Sequence, residues 1–138
     1  MRVVGCFVEY EGKFIILHRR HDKSQGDTWG LPAGKVENGE SDIKSIIREI
    51  KEETGYNAEE NELEFLGEWA WHFPEKTVKF PTYRLKLKNR IEVICQPDEH
   101  LEYKWVTPEE CYSMKNLVHG FHGLLEKVNY VRKTSSSN

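Results

Sequence analysis

Three glutamates, Glu49, Glu52 and Glu53, are crowded into one short stretch of the chain. In a helix that turns by about 100° per residue, they share one flank, and Glu49 and Glu53 lie one turn apart. Carboxylates this close repel one another, so a helix with a purely structural purpose would gain nothing by clustering them. A hard divalent cation such as Mg²⁺ removes the repulsion, because it takes oxygen ligands and shares them with substrate phosphates. The alternative is an ordinary solvated acidic face.

The helix that must position these acids is predicted from Ser41 to Thr54. Isoleucines recur in it at the i, i+3, i+4, i+7 spacing of a helix packed on a core. They are Ile43, Ile46, Ile47 and Ile50. Ser41 or Asp42 can cap its start, and Gly55 stands where a left-handed residue ends a helix. Arg48 precedes Glu52 by four residues, so the two can pair.

The same stretch resembles the box of the Nudix hydrolases, G-x5-E-x7-R-E-U-x-E-E-x-G-U, where U is a bulky apolar residue. The matching residues are Gly34, Glu40, Arg48, Glu49, Ile50, Glu52, Glu53, Gly55 and Tyr56. Only Tyr56 departs, standing where Ile, Leu or Val is usual. The seven fixed residues of the box, at about 6% frequency each, would match by chance on the order of once in 10⁸ positions.

The resemblance implies hydrolysis of a phosphoric anhydride in nucleoside diphosphates linked to another group. A bound cation would neutralise the phosphates and lower the pKa of a water, and a carboxylate would take that water's proton. We assign the role of proton acceptor to Glu49 or Glu52. Arg48 is expected to hold an acid in place through its i, i+4 pair. Glu40 is either a ligand or a brace for its loop. The expected site for Mg²⁺, or Mn²⁺ in its place, comprises Gly34, Glu49, Glu52, Glu53 and Glu99.

Glu99 enters this set through a second, shorter part of the resemblance, an E-H-x-x-Y-x-W segment. Here it is matched by Glu99, His100, Tyr103 and Trp105. In the family, the glutamate of this segment reaches the box helix and joins the metal site. Glu102 is the alternative if the loop is shifted.

Cations near the box are candidates for substrate phosphates. Arg19 and Arg20 lie in a polar loop, and Lys35 directly follows the first glycine of the box. A solvated loop is the alternative for all three.

An aromatic strand offers a surface for a base. Trp69, Trp71 and Phe73 alternate with the period of a strand, so they share one face. Trp71 and Phe73 are the residues we expect to stack on a base, since aromatic rings supply flat apolar area. Packing of this face into the core is the alternative.

The resemblance leaves several substrates open. A short domain with lean loops is similar to the MutT-type nucleoside triphosphate pyrophosphohydrolases, which we favour, with NMP and pyrophosphate as products. Dihydroneopterin triphosphate, dinucleoside polyphosphates and ADP-ribose are alternatives, although Ala33 stands where dinucleoside polyphosphate hydrolases usually have Lys. A different class of function is a nucleotide-sensing module without turnover, but every charged residue of the box is present.

Composition excludes other partners. The 138 residues carry a net charge of −3 with both signs mixed, which does not favour a nucleic-acid polymer. Three cysteines without CxxC spacing, Cys6, Cys95 and Cys111, indicate buried reduced thiols. No apolar run approaches the roughly 18 residues of a membrane span, and no signal peptide is visible. We expect a cytoplasmic protein, a monomer or a homodimer, with one domain over residues 1–132 and a flexible tail over 133–138.

The predicted elements follow the order β-β-α-β-β-β-β-α. Two strands, Val3 to Tyr10 and Lys13 to His18, are joined by a Glu11-Gly12 hairpin turn. The segment from Trp29 to Gly34 is predicted as a tight apolar turn that leads into the box. After the box helix come strands from Leu63 to Phe73, around Tyr83 to Leu87, and from Ile91 to Cys95. A loop from Gln96 leads into a last strand, and Thr107-Pro108 begins the final helices. The expected fold is α/β (α+β), a Nudix-type α/β/α sandwich with a mixed β-sheet between helices.

Overall fold

A computed structural model describes residues 1–94 and 98–132. Its strands are β1 (Val3–Tyr10), β2 (Lys13–Arg19), β3 (Trp29–Gly30), β4 (Ala33–Lys35), β5 (Leu63–Phe73), β6 (Lys76–Lys86) and β7 (His100–Val106). Its helices are α1 (Asp42–Thr54), α2 (Pro108–Tyr112) and α3 (Phe121–Lys127), and a short 3-10 turn spans Glu60–Glu62. None of the helices in these ranges is long and apolar enough to cross a membrane.

The strands form one mixed sheet in the order β3-β2-β1-β6-β5, with β4 added to β1 and β7 added to β2. Strands β1 and β6 are parallel, whereas the other pairs are antiparallel. Alternate residues of β1 face opposite sides, so Cys6 belongs to one apolar cluster and Phe7 to the other. Helix α1 covers the first cluster through Ile50, and α3 covers the second through Phe121 and Leu125. The predicted sandwich with a mixed sheet between helices is confirmed.

The caps of α1 are the predicted ones. The Ser41 hydroxyl accepts a hydrogen bond from the Lys44 N–H at 3.2 Å, and Gly55 ends the helix at φ 87°. A side chain there would be strained, since only glycine adopts this conformation freely. These two ends fix the register of the helix, and therefore which flank its glutamates occupy.

Two predicted assignments are wrong, whereas the last strand lies where it was predicted. Residues 91–94 form no strand, because the Ile94 N–H donates to the Thr54 carbonyl at 3.1 Å and this stretch packs on the end of α1 instead. The last strand begins at His100 and ends at Val106, inside the segment predicted as a loop that leads into a strand. The segment from Trp29 to Gly34, read as a turn, supplies β3 and β4, which pair with β2 and β1.

Two of the three cysteines, Cys6 and Cys111, are buried free thiols, as predicted. Cys95 and the 133–138 tail lie outside the described residues, so what was predicted for them remains a prediction. On β5, Trp69 and Trp71 lie on one face, as predicted, since both pack against the apolar cluster that contains Phe7. His72 is exposed on the other side.

Candidate active site

Two carboxylates and an imidazole meet where α1 approaches the start of β7. Ligand atoms of Glu53, Glu99 and His100 all lie within 4.8 Å of one another. Glu53 and His100 are buried, each about 4% exposed, whereas Glu99 is exposed. The set therefore combines an acid from the box with an acid from the predicted second segment, and adds a histidine to which the sequence had given no role.

Backbone hydrogen bonds hold these groups in place. The Ala33 N–H donates to Oε1 of Glu53 at 2.8 Å, which fixes the carboxylate against β4. The Arg20 N–H donates to the Glu99 carbonyl at 3.0 Å, which ties that turn to the end of β2. The β2–β7 register shifts between His18 and Arg19, so that Arg19 faces His100. Such a bulge re-aims side chains, and here it brings the histidine to the acids.

Glu49 lies one turn before Glu53, against β4. Its carboxylate occupies the space that a side chain at Gly34 would need. Glu49 is about 8% exposed, so most of its surface is covered by the protein. The first glycine of the box thus allows a close approach of this acid to the strand.

Arg48 binds several of the predicted acids at once. Its Nε and Nη2 donate to the two oxygens of Glu40 at 2.8 and 3.0 Å, and Nη1 donates to Glu49 at 2.8 Å. The predicted partner Glu52 is also in reach, at 3.3 Å, and the Lys35 carbonyl accepts at 3.1 Å. Planar guanidinium groups favour such forked pairing with carboxylates. Arg48 therefore connects the loop before α1 to the acidic flank, and Glu40 is engaged as a brace.

Burial sets the electrostatics of this flank. Desolvation raises the pKa of Glu53 well above its usual value, and the neighbouring charge of Glu49 raises it further. Desolvation also raises the pKa of Glu49, against the opposing effect of Arg48. The Arg48 guanidinium holds the pKa of Glu40 down at about 2. Burial, together with the charge of Arg19, lowers the pKa of His100 to about 4. Burial thus disfavours the ionised form of both Glu49 and Glu53.

These residues fit a divalent cation. Glu53 and Glu99 offer oxygen donors, which Mg²⁺ and Mn²⁺ prefer. The buried Nδ1 of His100 has no hydrogen-bond partner among the described residues, an uncommon state for a buried polar atom. A cation would relieve the repulsion between Glu49 and Glu53 and give the buried carboxylates a partner.

A cleft of about 400 Å³ opens beside this group. His100, Ala33 and Arg19 line it next to the acids, and Trp71 and Phe73 line it further along. Its remaining walls come mainly from β6, α3 and the segment before α3, with Val78, Phe80, Val118, His119, Phe121 and Leu124 among them. The volume lies within the range of about 300–1,000 Å³ usual for small-molecule sites. Apolar, aromatic walls with an acidic group at one edge suit a flat ring that carries phosphates.

The predicted residues divide into two groups. Arg19, Trp71 and Phe73 line the cleft, whereas neither Arg20 nor Lys35 is among the described residues that line it. Arg20 pairs with Asp22 at 3.0 Å, and Lys35 is exposed at the end of β4.

The acids divide in the same way. Glu52 is about half exposed beside Arg48 and does not belong to the group formed by Glu53, Glu99 and His100. Glu102, the alternative to Glu99, lies instead 3.4 Å from His18.

Sequence reasoning missed His100 as a site residue, and it missed the cleft walls from His119 and Phe121. The available signal for His100 was its place directly after Glu99 in the E-H-x-x-Y-x-W segment. For the walls no local signal exists, because α3 meets β5 and β6 only in the folded chain.

Comparisons with known proteins agree with this arrangement. A family model described as the NUDIX domain matches residues 1–127. The phosphatase NudJ of Escherichia coli K12 is 31% identical over 118 residues, which cover 83% of this chain and 72% of that protein. The crystal structure of the MutT protein from Methanosarcina mazei Go1 has a TM-score of 0.81 at 27% identity, over 94% of this chain and 92% of that one. The MutT Nudix hydrolase from Burkholderia pseudomallei shares the fold, with a TM-score of 0.78 at 24% identity, over 92% of this chain and 96% of that one.

The family match takes in the box, the Glu99 segment and most of the cleft, so it covers the whole acidic site. Nudix hydrolases generally depend on divalent metal, which accords with the acidic group. The chain belongs to the Nudix hydrolase family and is a pyrophosphohydrolase.

Proposed function

We propose that this enzyme hydrolyses a nucleoside triphosphate to the nucleoside monophosphate and pyrophosphate, with Mg²⁺ as its cofactor. The observation that carries the proposal is the continuity of the aromatic cleft with the acidic group. His100 and Ala33 line the cleft, and both also contact or adjoin Glu53. A base between the cleft walls would therefore leave its phosphates beside the acids.

The size of the cleft supports a substrate with one nucleoside. Trp71 stacks on Phe80 with ring centroids 4.3 Å apart, and Phe73 lies beside His119 at 4.6 Å. Together they form one aromatic surface.

The reaction uses the acids in different ways. Glu53 and Glu99 would hold the cation, with Glu49 and the Gly34 carbonyl close by. When bound, the cation neutralises phosphate charge and acidifies a water. Glu49 is the acid we assign to accept the water's proton, since its raised pKa brings its basicity closer to that task. Water then forms a bond to one phosphorus of the anhydride, and the bond from that phosphorus to the bridging oxygen breaks, with its electron pair remaining on that oxygen, so that NMP and pyrophosphate form.

The neighbouring residues would position the acids and the substrate. Arg48 keeps Glu49 oriented through the 2.8 Å bond, and Glu52 is the alternative base on the same guanidinium. At the cleft, Arg19 donates from Nε to the Ser24 carbonyl at 2.8 Å. That bond leaves its other nitrogens able to donate to a phosphate. Arg20 and Lys35 remain candidate phosphate contacts at the periphery, where long side chains can reach toward the substrate.

A panel of substrates tests this proposal directly. Purified protein with Mg²⁺ is incubated with NTPs, dNTPs, oxidised dNTPs, dihydroneopterin triphosphate, dinucleoside polyphosphates and ADP-ribose, and the phosphorylated products of each are separated and quantified by chromatography. We expect the highest kcat/KM for a nucleoside triphosphate, with pyrophosphate as the product. A clear preference for ADP-ribose or a dinucleoside polyphosphate would overturn the proposed substrate class, and binding of nucleotides without turnover would overturn the proposed reaction.

A further inference from the structure

His100 is buried, with about 4% of its surface exposed. Its Nδ1 is fully covered and has no hydrogen-bond partner among the described residues. Leaving a buried polar atom without a partner costs about 1–3 kcal/mol, so native proteins rarely retain one without a use. A buried imidazole that only filled space could be replaced at no loss by an apolar residue.

The position of the imidazole indicates what the missing partner is. One of its ring nitrogens lies within 4.8 Å of carboxylate oxygens of both Glu53 and Glu99. Ligands on opposite sides of an ion bound at about 2.1 Å are separated by about 4.2 Å. The three groups are therefore already spaced nearly as a coordination shell requires, with only small side-chain movements needed.

Resting on the cation site of the proposed function, we propose that His100 supplies a nitrogen ligand to that cation. The site would then have a mixed oxygen and nitrogen donor set in place of one made of oxygen alone. An imidazole nitrogen disfavours Mg²⁺, which takes oxygen ligands almost exclusively, relative to a first-row transition metal such as Mn²⁺. His100 thus makes the enzyme favour Mn²⁺ over Mg²⁺ more strongly than its carboxylates would.

The fold supports such a role by fixing the ring on the strand beside the acids. The register shift at His18 and Arg19 places Arg19 opposite His100, and the Arg20 N–H anchors the Glu99 carbonyl at 3.0 Å. Two adjacent residues, Glu99 and His100, thereby reach one point from a single anchored turn. A ligand on a rigid element holds its geometry better than one on a free loop.

The experiment uses metal-free protein with substoichiometric Mn²⁺ as the probe, in a buffer without nitrogen. Electron spin-echo envelope modulation of bound Mn²⁺ reports a directly coordinated nitrogen. We expect that signal in the wild type and its loss in His100→Phe. Calorimetric titration should show that His100→Phe lowers the preference for Mn²⁺ over Mg²⁺ by about tenfold, the lower end of the usual cost of disturbing a metal site.

Matched variants separate the outcomes. His72→Phe makes the same change at an exposed histidine on the outer face of β5 and should keep the nitrogen signal. Where His100→Phe does not fold, His100→Gln, whose amide oxygen can still bind, should retain Mn²⁺ but lose the signal. Bound Mn²⁺ without a nitrogen signal in the wild type, or with an unchanged signal in His100→Phe, would overturn the assignment of His100 alone. No saturable Mn²⁺ binding, or binding indifferent to Glu53→Gln, would overturn the cation site and the proposed function with it.

Discussion

The carboxylate of Glu49 lies against the Cα of Gly34, in the space where any larger residue would place its Cβ. The glycine is therefore needed for a close approach between α1 and β4 and not for an unusual backbone angle. Because the atoms in the way belong to the end of a flexible side chain, a methyl group at position 34 would displace the carboxylate before it displaced the backbone.

Gly34→Ala should consequently impair the reaction more than the fold. We expect turnover to fall by about 10- to 100-fold, since a shift of about 1 Å at a reacting group costs rates of that order, while the thermal unfolding midpoint changes little. Gly123→Ala is the control, because a Cβ at Gly123 meets nothing within 4 Å and alanine favours a helix. Equal activity of Gly34→Ala and wild type would show that Glu49 does not need its place beside the strand.

The pairing of Glu40 with Arg48 predicts how stability depends on pH. Arg48 lowers the pKa of Glu40 from 4.5 to about 2, so the ionised acid is favoured by folding. A depressed pKa contributes stability above the unfolded value, and that contribution disappears as the pH falls from about 4.5 towards 2. Glu40→Gln should therefore lower the unfolding midpoint at neutral pH and flatten its decline across this acidic range.

Glu64→Gln is the matched control for Glu40→Gln. Glu64 also pairs with an arginine, Arg84, at 2.9 Å, and its pKa is likewise lowered by that partner. Both variants should lose part of the acidic dependence in a thermal melt followed by circular dichroism. Only Glu40→Gln should also reduce turnover, because Arg48, unlike Arg84, also donates a hydrogen bond to Glu49. Unchanged turnover in Glu40→Gln would leave the pair a purely structural one.

Local patterns predicted the parts of the site that depend on local interactions. The isoleucine stripe, the Ser41 cap and the left-handed Gly55 determine α1, and each acts within a few residues of its own position. These signals were sufficient to place Glu49 and Glu53 on one flank. Resemblance to the family box then supplied the metal and the reaction, which spacing alone leaves open.

The errors arose where distant parts of the chain meet. Residues 91–94 have the composition of a strand, but their hydrogen bond to Thr54 is available only after α1 has packed. His100 received no role because the register shift between β2 and β7, which pairs it with Arg19, has no marker in the sequence. Arg20 and Lys35 are cations near the box, yet Arg20 pairs with Asp22, Lys35 is exposed, and neither is among the described residues that line the cleft.

The aromatic cleft predicts a separation between binding and turnover. Phe73 lines the cleft, so Phe73→Leu should raise KM by about 5- to 150-fold, the range that corresponds to about 1–3 kcal/mol of stacking on one base, with kcat nearly unchanged. Phe65→Leu makes the same change on the same strand at a side chain that is about 57% exposed, and should alter neither constant. Steady-state kinetics with the best substrate of the panel measures both. A fall in kcat at constant KM would place the base elsewhere.

Glu53 should lower the free energy of unfolding of the metal-free protein. Its carboxylate is buried beside Glu49, and both desolvation and that neighbouring charge oppose its ionisation. In Glu53→Gln the amide oxygen can still accept the bond from the Ala33 N–H, now seen at 2.8 Å, without the charge. In EDTA at neutral pH the variant should therefore unfold at or above the wild-type temperature, whereas its turnover falls by orders of magnitude.

Added cation should reverse that order of stabilities. A cation at about 100 times its Kd stabilises a folded protein by about 2.7 kcal/mol, and only the wild type has the full set of ligands to gain this. Differential scanning calorimetry in EDTA and in Mg²⁺ or Mn²⁺ measures the crossing, with Glu52→Gln as the control on the exposed part of the same flank. If Glu53→Gln is less stable than wild type in EDTA, or gains as much stability from the cation, then Glu53 has a structural role. Cation binding would then have to be assigned to the other acids of the site.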